Sequence, residues 1–490
     1  NAFYSPERNA LLFGYFPAST SDPRYHLPGG IVFTCLSHDI VAHETTHALL
    51  HGMHRRFNEP SNPDVLAFHE GFADIIALFQ HFSMPDALRH QIARTRGDLA
   101  TENLLLQLAQ EFGQATGSHG ALRDALGEYD DQGNWKPKPA DPTAIESVIE
   151  PHARGSLLVA AVFDAFVTIL KTRTADLVRI ATGGTGVLPA GNLHPDLVNR
   201  MATEAATSAQ HVLTMCIRAL DYCPPVDLTF GEFLRALITA DFDLVPNDEH
   251  NYRIAFVEAF RKRGIYPHDV RNLSVESLLW IEPVGADFKP YYLPVIRAIR
   301  KELPNWDVTG RSKKIFDDLA RSRAILHEML EEMATGEEAA ELRSLLRLDP
   351  ALPFEIHSLR PARRIGPDGQ RLDDLVIEIT QSRPGYLDED VQKKMDAQQK
   401  DKGRIPANPP ADFRFRGGCT LLVDLETEKV RYCIYKNLYS ENRLARQRSF
   451  QTSQGDSLRA TYFSSRLLRE PFAFLHRAAA SAKEQGEWML

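Results

Sequence analysis

The sequence predicts an α+β protein: a mostly helical part with a strand region at its N-terminal end, then a smaller α+β C-terminal module. Three observations carry that reading. Apolar residues recur at helical spacing through much of the stretch between Ser37 and Arg263. Segments with strand patterning gather after Asp349. Residues 1–36 mix aromatic and β-branched residues with turn formers, which suits strands and loops.

The elements follow in order. Ser37 stands where a helix cap belongs, ahead of a helix from about His38 to Gly52 that stops at the glycine. Glu59-Pro60-Ser61-Asn62-Pro63 breaks the chain with two prolines and two turn-favouring residues. Asn62 caps a second helix, about Asp64 to Phe82, and Pro63 suits a first turn, where a missing N–H costs nothing. Val65, Phe68, Phe72, Ile75, Ile76 and Phe79 give that helix its apolar face. Further helices read at about 86–114, 155–172, 195–220, 229–240 and 249–263, with a polar connection over 125–150 and a heavily charged helix over 311–347. Segments 353–359, 374–381, 413–424 and 428–436 read as strands, the last two as a hairpin around Glu426–Glu428. The polar stretch 388–412, ending in Pro406, Pro409 and Pro410, reads as a long exposed loop or a disordered insertion. A final helix spans about 470–485.

Composition removes several classes. The 490 residues are 43% hydrophobic and 25% charged, enough apolar surface for a large core and against global disorder. Residues 1–270 carry 21 Lys and Arg against 32 Asp and Glu, a net of −11, whereas residues 271–490 carry a net of +2. Neither part has the basic footprint of a nucleic-acid binder. No run of about 18 apolar residues argues for a membrane span. Cys35, Cys216, Cys223, Cys419 and Cys433 are too few and too scattered for a disulfide framework. The chain opens on Asn1, where a targeting segment would be lost with a missing native start.

The chemical signal is His43-Glu44-Thr45-Thr46-His47, an H-E-x-x-H motif on a helix. Residues four apart share a helix face, so the two imidazoles can hold one zinc ion. Glu44, one residue past the first ligand, is placed as general base. The plain alternative is a histidine-rich helix with a solvated face, since His38, His51 and His54 crowd the same region. The second helix shifts the balance. A catalytic zinc needs three protein ligands and an open position. Glu70, in Phe68-His69-Glu70-Gly71-Phe72-Ala73-Asp74, is the third candidate, reached after a break and a returning antiparallel helix. Asp74, one turn on, is the carboxylate that would accept the second ring N–H of His43 and set its tautomer.

These residues resemble the thermolysin family of zinc metalloendopeptidases, over about residues 1–267. Asn1-Ala2-Phe3-Tyr4 is similar to the family's substrate-binding edge strand, and Gly30 to His47 to its G-I-D-V-V-A-H-E-x-T-H run, with Asp39 at the aspartate position. Glu70 and Asp74 match its E-x-x-x-D pair. Ala121-Leu122-Arg123 resembles a segment whose arginine binds a substrate carbonyl, and His152-Ala153-Arg154-Gly155-Ser156-Leu157-Leu158 a block whose histidine stabilises the oxyanion. Leu228 to Ile265 looks like the family's closing helices. Six blocks in family order are more specific than any one of them.

The resemblance implies a mostly helical thermolysin-like catalytic part with one zinc on His43, His47 and Glu70, Glu44 as base, His152 at the oxyanion, and Asn1, Ala2 and Arg123 aligning the substrate backbone. It implies a protein or peptide substrate. The chain departs from the family in three ways. It begins at the edge strand, without the β-rich half that precedes it, and reads as a fragment, a cropped chain or a processed product. The family's active-site tyrosine has no counterpart among His54, Arg56 and Phe57. His81 stands where a calcium-binding carboxylate is expected, which argues against calcium. Glu146 or Glu150 is left to orient His152. The expectation of a cytoplasmic protein rests on this poor calcium chemistry, the unpaired cysteines and the long C-terminal module.

The expected division is 1–84 for the strands and two motif helices, 85–270 for a helical subdomain, 271–350 for a helical connection, and 351–490 for the C-terminal module. That module carries no motif and is a candidate surface for a protein partner. Cys419 and Cys433 fall on its hairpin, most simply as two buried thiols, and His357 and Arg363-Arg364 read as surface residues. The competing expectation is an inactive zinc-stabilised scaffold whose C-terminal module binds a partner. A third is a zinc hydrolase for a non-protein amide or ester.

Overall fold

A computed structural model describes residues 2–17, 30–97, 127–129, 135–137, 139–281, 297, 312–333, 346–349, 351–402, 410–452, 462–463 and 469–476. Helices with small antiparallel sheets make the fold α+β, as the periodicities predict. Strands β1 (Ala2–Ser5) and β2 (Ala10–Phe13) form a hairpin, and β3 (Tyr15–Pro17) pairs with β4 (Ile31–Phe33). Then come α1 (His38–Met53), α2 (Pro63–Gln80) and α3 (Pro85–Thr95), a short pairing of β5 (Gly127–Tyr129) with β6 (Trp135–Pro137), and four more helices: α4 (Pro151–Ala181), α5 (Pro195–Ala219), α6 (Phe230–Leu244) and α7 (Tyr252–Lys262). Helix α8 (Ser312–Met333) precedes the strands β7 (Phe354–Ile365) and β8 (Arg371–Gly385), helix α9 (Glu389–Lys402), the hairpin β9 (Phe413–Asp424) and β10 (Lys429–Lys436), and helix α10 (Glu441–Thr452). The four strands β7 to β10 form an antiparallel meander in chain order.

Local chemistry accounts for the helix starts. The Asn62 side chain accepts from the Asp64 N–H at 2.7 Å, with Pro63 in the first turn. Thr229 and Glu232 cap α6 reciprocally. Three expectations are corrected. Ser37 occupies the cap position of α1 but makes no side-chain cap bond. Helix α1 also runs through Gly52 to Met53, because the His54 N–H closes the last turn on the Leu50 carbonyl at 2.7 Å. Within the stretch expected as a loop, 388–412, Glu389–Lys402 is helix, and residues 403–409 lie outside the described residues. Asp388 accepts from the backbone of Asp390 and Val391 and starts α9, whose Gln392 and Asp396 bind Tyr386 and Arg383.

The main core lies among α2, α4, α5, α6 and α7, around Phe68, Phe166, Phe233 and Phe256. Helix α4 is apolar and long enough by composition to cross a membrane, but 83% of its most apolar window is buried in this fold. The β7–β10 sheet closes onto the helical part. Leu422, Tyr432 and Ile434 on one face join the main core, whereas Leu375, Ile377, Leu421 and Val423 on the other meet Leu326 and Leu330 of α8.

A buried charged row runs through the same junction. His54 Nδ1 lies 2.8 Å from Glu378, which also meets Arg360 at 3.1 Å. Arg360 and Arg364 share Asp221, and Arg364 and Arg431 share Asp374. This corrects two expectations. Arg364 is buried, and the His357 side chain is enclosed 3.2 Å from Glu378. Cys419 and Cys433 lie on paired strands, and their thiols hydrogen-bond to each other with no disulfide.

Candidate metal centre

Helices α1 and α2 pack side by side and bring His43, His47 and Glu70 into one buried pocket. His43 and His47 sit one turn apart, and their Nε2 atoms are 2.9 Å from each other. Glu70 Oε2 lies 3.3 Å from His43 Nε2 and 3.6 Å from His47 Nε2. Helix α4 crosses α2 where two glycines meet. A Cβ on Gly71 would stand 2.7 Å from the Gly155 carbonyl oxygen, and one on Gly155 would stand 2.8 Å from the Ala67 oxygen and the Gly71 nitrogen. This close approach carries the start of α4 to the pocket, and His152 Nε2 comes within 3.5 Å of Glu70 Oε2.

Each imidazole has a group behind it. His43 Nδ1 donates to Asp74 Oδ1 at 2.9 Å, which leaves its Nε2 lone pair facing the pocket. His152 Nδ1 donates to Glu150 at 2.8 Å, so Glu150, which also caps α4 through the Ala153 N–H, is the carboxylate that orients it. Arg154 holds that helix start in place by donating to Asp64 and to the Ile145 and Val148 carbonyls. His47 Nδ1 faces His69 Nδ1 at 3.3 Å.

Glu44 is buried beside the pocket. Its Oε2 accepts the Tyr4 N–H of β1 at 2.8 Å, and its Oε1 lies 3.1 Å from His476 Nδ1. His476 comes from a short helical run, residues 471–476, far along the chain. Its Nδ1 also donates to the Ala2 carbonyl at 2.9 Å, and its Nε2 is 3.5 Å from Glu70 Oε2. His43, His47, Glu70 and His476 each offer one ligand atom within 4.8 Å of the others, so this buried group could hold a metal ion.

The donor set fits a cation. Four imidazole nitrogens surround one oxygen of Glu70, and neither oxygen of that buried carboxylate has a hydrogen-bond partner. Ligands held about 2.0–2.1 Å from a tetrahedral cation stand roughly 3.3 Å apart, close to the separations of these atoms. The charges respond to this crowding. Burial pushes the Glu70 carboxyl up, but His152, His47 and His43 outweigh it and hold it well below the usual range. Burial lowers His43, but Asp74 and Glu70 overcome it and carry it to about 10. Burial, with His43 beside it, lowers His47.

The expected residues are thus distributed as follows. His43, His47, Glu70, Asp74, Glu44 and His152 converge. Ala2 borders the pocket through its carbonyl. Asn1 and Arg123 lie outside the described residues. His54, Arg56 and Phe57 point elsewhere, toward Glu378, toward Glu59 and Glu355, and into the core. Asp39 meets His81 Nε2 at 2.5 Å. Sequence reasoning missed His476 and the role of His69. A cavity of about 610 Å³ lies against His51 and Arg55 on one side and Arg414 and Arg443 on the other, but no ligand of the cluster lines it.

Compared with known proteins, the chain matches no family model, no curated protein and no solved structure.

Proposed function

We propose that the chain is a zinc-dependent endopeptidase of the thermolysin type, with the ion on His43, His47 and Glu70. Imidazoles with one carboxylate suit zinc. The observation that supports the reading most is Glu44. It is a buried carboxylate next to the ligand cluster but outside the ligand set, with Oε1 3.1 Å from His476 Nδ1. A carboxylate so placed suits a general base, although it also ties β1 and His476 to the site.

When bound, zinc supplies Lewis acidity that makes water nucleophilic near neutral pH and polarises a carbonyl. Glu44 takes one proton from the attacking water and passes it to the leaving amine, so that OH adds to the carbonyl carbon and H to the nitrogen. His152, held by Glu150, donates to the oxygen that gains charge. Asp74 keeps His43 in the ligating tautomer. Strand β1 offers main-chain groups to an extended peptide.

The closed set of four side chains favours a second reading, a structural zinc scaffold, because structural sites are four-coordinate and catalytic ones keep a position open. Mass-spectrometric mapping of new termini in an unfolded protein mixture separates the two. The zinc-loaded chain is expected to create termini that its Glu44→Gln variant does not, and their flanking residues give the specificity. Identical silence from both, with zinc bound and His476 removed, sinks the peptidase reading.

A further inference from the structure

Residues 469–476 lie where a substrate has to go. Phe472 stacks on the His47 ring at 4.2 Å between centroids and leans on His69 and Tyr4 at 4.9 and 5.9 Å. Glu470 accepts from the Ser5 hydroxyl at 2.6 Å, at one end of β1. His476 reaches the Ala2 carbonyl at the other end. Behind this run, Leu475 packs with Leu66, Phe450 and Tyr462, so the segment has an apolar anchor of its own.

We propose that this segment is a built-in inhibitor, a reading that rests on the peptidase assignment: His476 takes the fourth position at the metal, its Nδ1–H occupies Glu44, and the run from Glu470 to His476 covers β1.

The geometry supports each part. One N–H shared between the Ala2 oxygen and Glu44 leaves the His476 Nε2 lone pair aimed at the cluster. Each oxygen of the general base then already has a partner, one the Tyr4 N–H and one His476. The segment is also helical where it covers the strand. An extended peptide pairs with an edge strand and presents a carbonyl to the ion. A helical turn presents a ring instead, so it fills the site without being a substrate for it. The anchoring contacts to Ser5, Ala2, Tyr4 and Leu66 are non-covalent, so displacement of the segment opens the site.

The test uses the full chain, with cobalt(II) in place of zinc for spectroscopy and with zinc for activity. Acetohydroxamate is the probe, since it needs a free coordination position. The wild-type visible spectrum is expected to stay unchanged at hydroxamate concentrations that shift the spectrum of His476→Ala. Peptide cleavage by zinc-loaded His476→Ala is expected to exceed wild type roughly tenfold or more, as when the competent state is under about one tenth of the population. Phe472→Ala, which leaves every ligand in place, is expected to move both readouts the same way, and it carries the test if His476→Ala does not fold. Equal hydroxamate response in wild type and variants overturns the inhibitor. A gated spectrum without cleavage by any variant keeps His476 as the group that blocks the metal position but removes the peptidase assignment, and the inhibitor with it. Cleavage at wild-type rate by both variants keeps the peptidase assignment and removes the inhibitor.

Discussion

Gly71 and Gly155 touch backbone to backbone, and that contact sets the distance between Glu70 and His152. The atom in the way of any Cβ is a main-chain oxygen or nitrogen, which cannot swing aside. Gly155→Ala therefore has to separate α2 from α4. The expected cost is about 1–3 kcal/mol of stability, as for other overpacked cores. Metal affinity is expected to fall as well, because the added methyl also stands 3.3 Å from the Cβ of Glu70, itself one of the ligands. Cleavage should fall with it. Denaturant melts and chelator competition check the two halves, and a variant as stable and active as wild type would discount the helix contact.

Asp74 holds the tautomer of His43 through a 2.9 Å bond. Asp74→Asn keeps the shape and removes the charge. Metal affinity is expected to fall about 10–100-fold, the usual effect of losing such a partner. Titration against a fluorescent chelator reads this directly, and unchanged affinity would sink the role.

His152 and Glu150 act at the transition state in the proposed reaction, so their removal should lower kcat and spare KM. In a His476→Ala background, His152→Ala is expected to reduce kcat by about 10²–10³, and Glu150→Gln by less. A loss confined to KM would make His152 a binding group instead.

The junction between the sheet and the helices should fail in acid. Burial raises Asp227, but Arg443, Lys436 and the donors Asn62 and Ser61 outweigh it and hold it below its ordinary value. Burial raises Glu378 too, and His54 and Arg360 bring it well below. Both folded values lie under the unfolded ones, about 3.9 for Asp and 4.3 for Glu. The unfolded chain then binds more protons in acid. The stability these groups contribute is present above about pH 5 and is lost as pH falls through the folded values. Urea midpoints should be level from pH 7 to about 5 and drop below about 4. Asp227→Asn should cost about 3 kcal/mol at pH 7, because Arg443 loses its buried counter-charge while Lys436 keeps Glu232, and should flatten the acid limb. Parallel pH profiles in the two proteins would discard this account.

What could be read from the sequence was what short spacing encodes. His43, Glu44 and His47 share a turn of one helix, and Glu70 and Asp74 share a turn of the next, so their faces follow from periodicity. Asn62 and Pro63 announce a helix start through local chemistry. His476 has no such cue. It joins the site only because the chain returns, through contacts among Leu66, Phe450, Tyr462 and Leu475, and a lone histidine outside any motif carries no spacing that marks it as a ligand. Helix α9 was hidden for the opposite reason: it is so polar that it lacks the apolar stripe by which helices are found, and the prolines beyond it suggested a loop. Arg364 looked like a surface residue because its partner Asp221 comes from a distant part of the chain.

Leu422, Tyr432 and Ile434 complete the core that surrounds the helices carrying the ligands. On a ribosome, the segment holding these three residues emerges long after α7. At about 5–20 residues per second, the delay is roughly ten to thirty seconds. Throughout that interval the helical part has an unfinished wall. By the time the β9–β10 hairpin closes it, synthesis is only a few seconds from delivering His476. The newly made chain thus spends little of its life with a finished cluster and no segment over it; if the chain is the peptidase proposed above, the order of synthesis itself limits self-digestion.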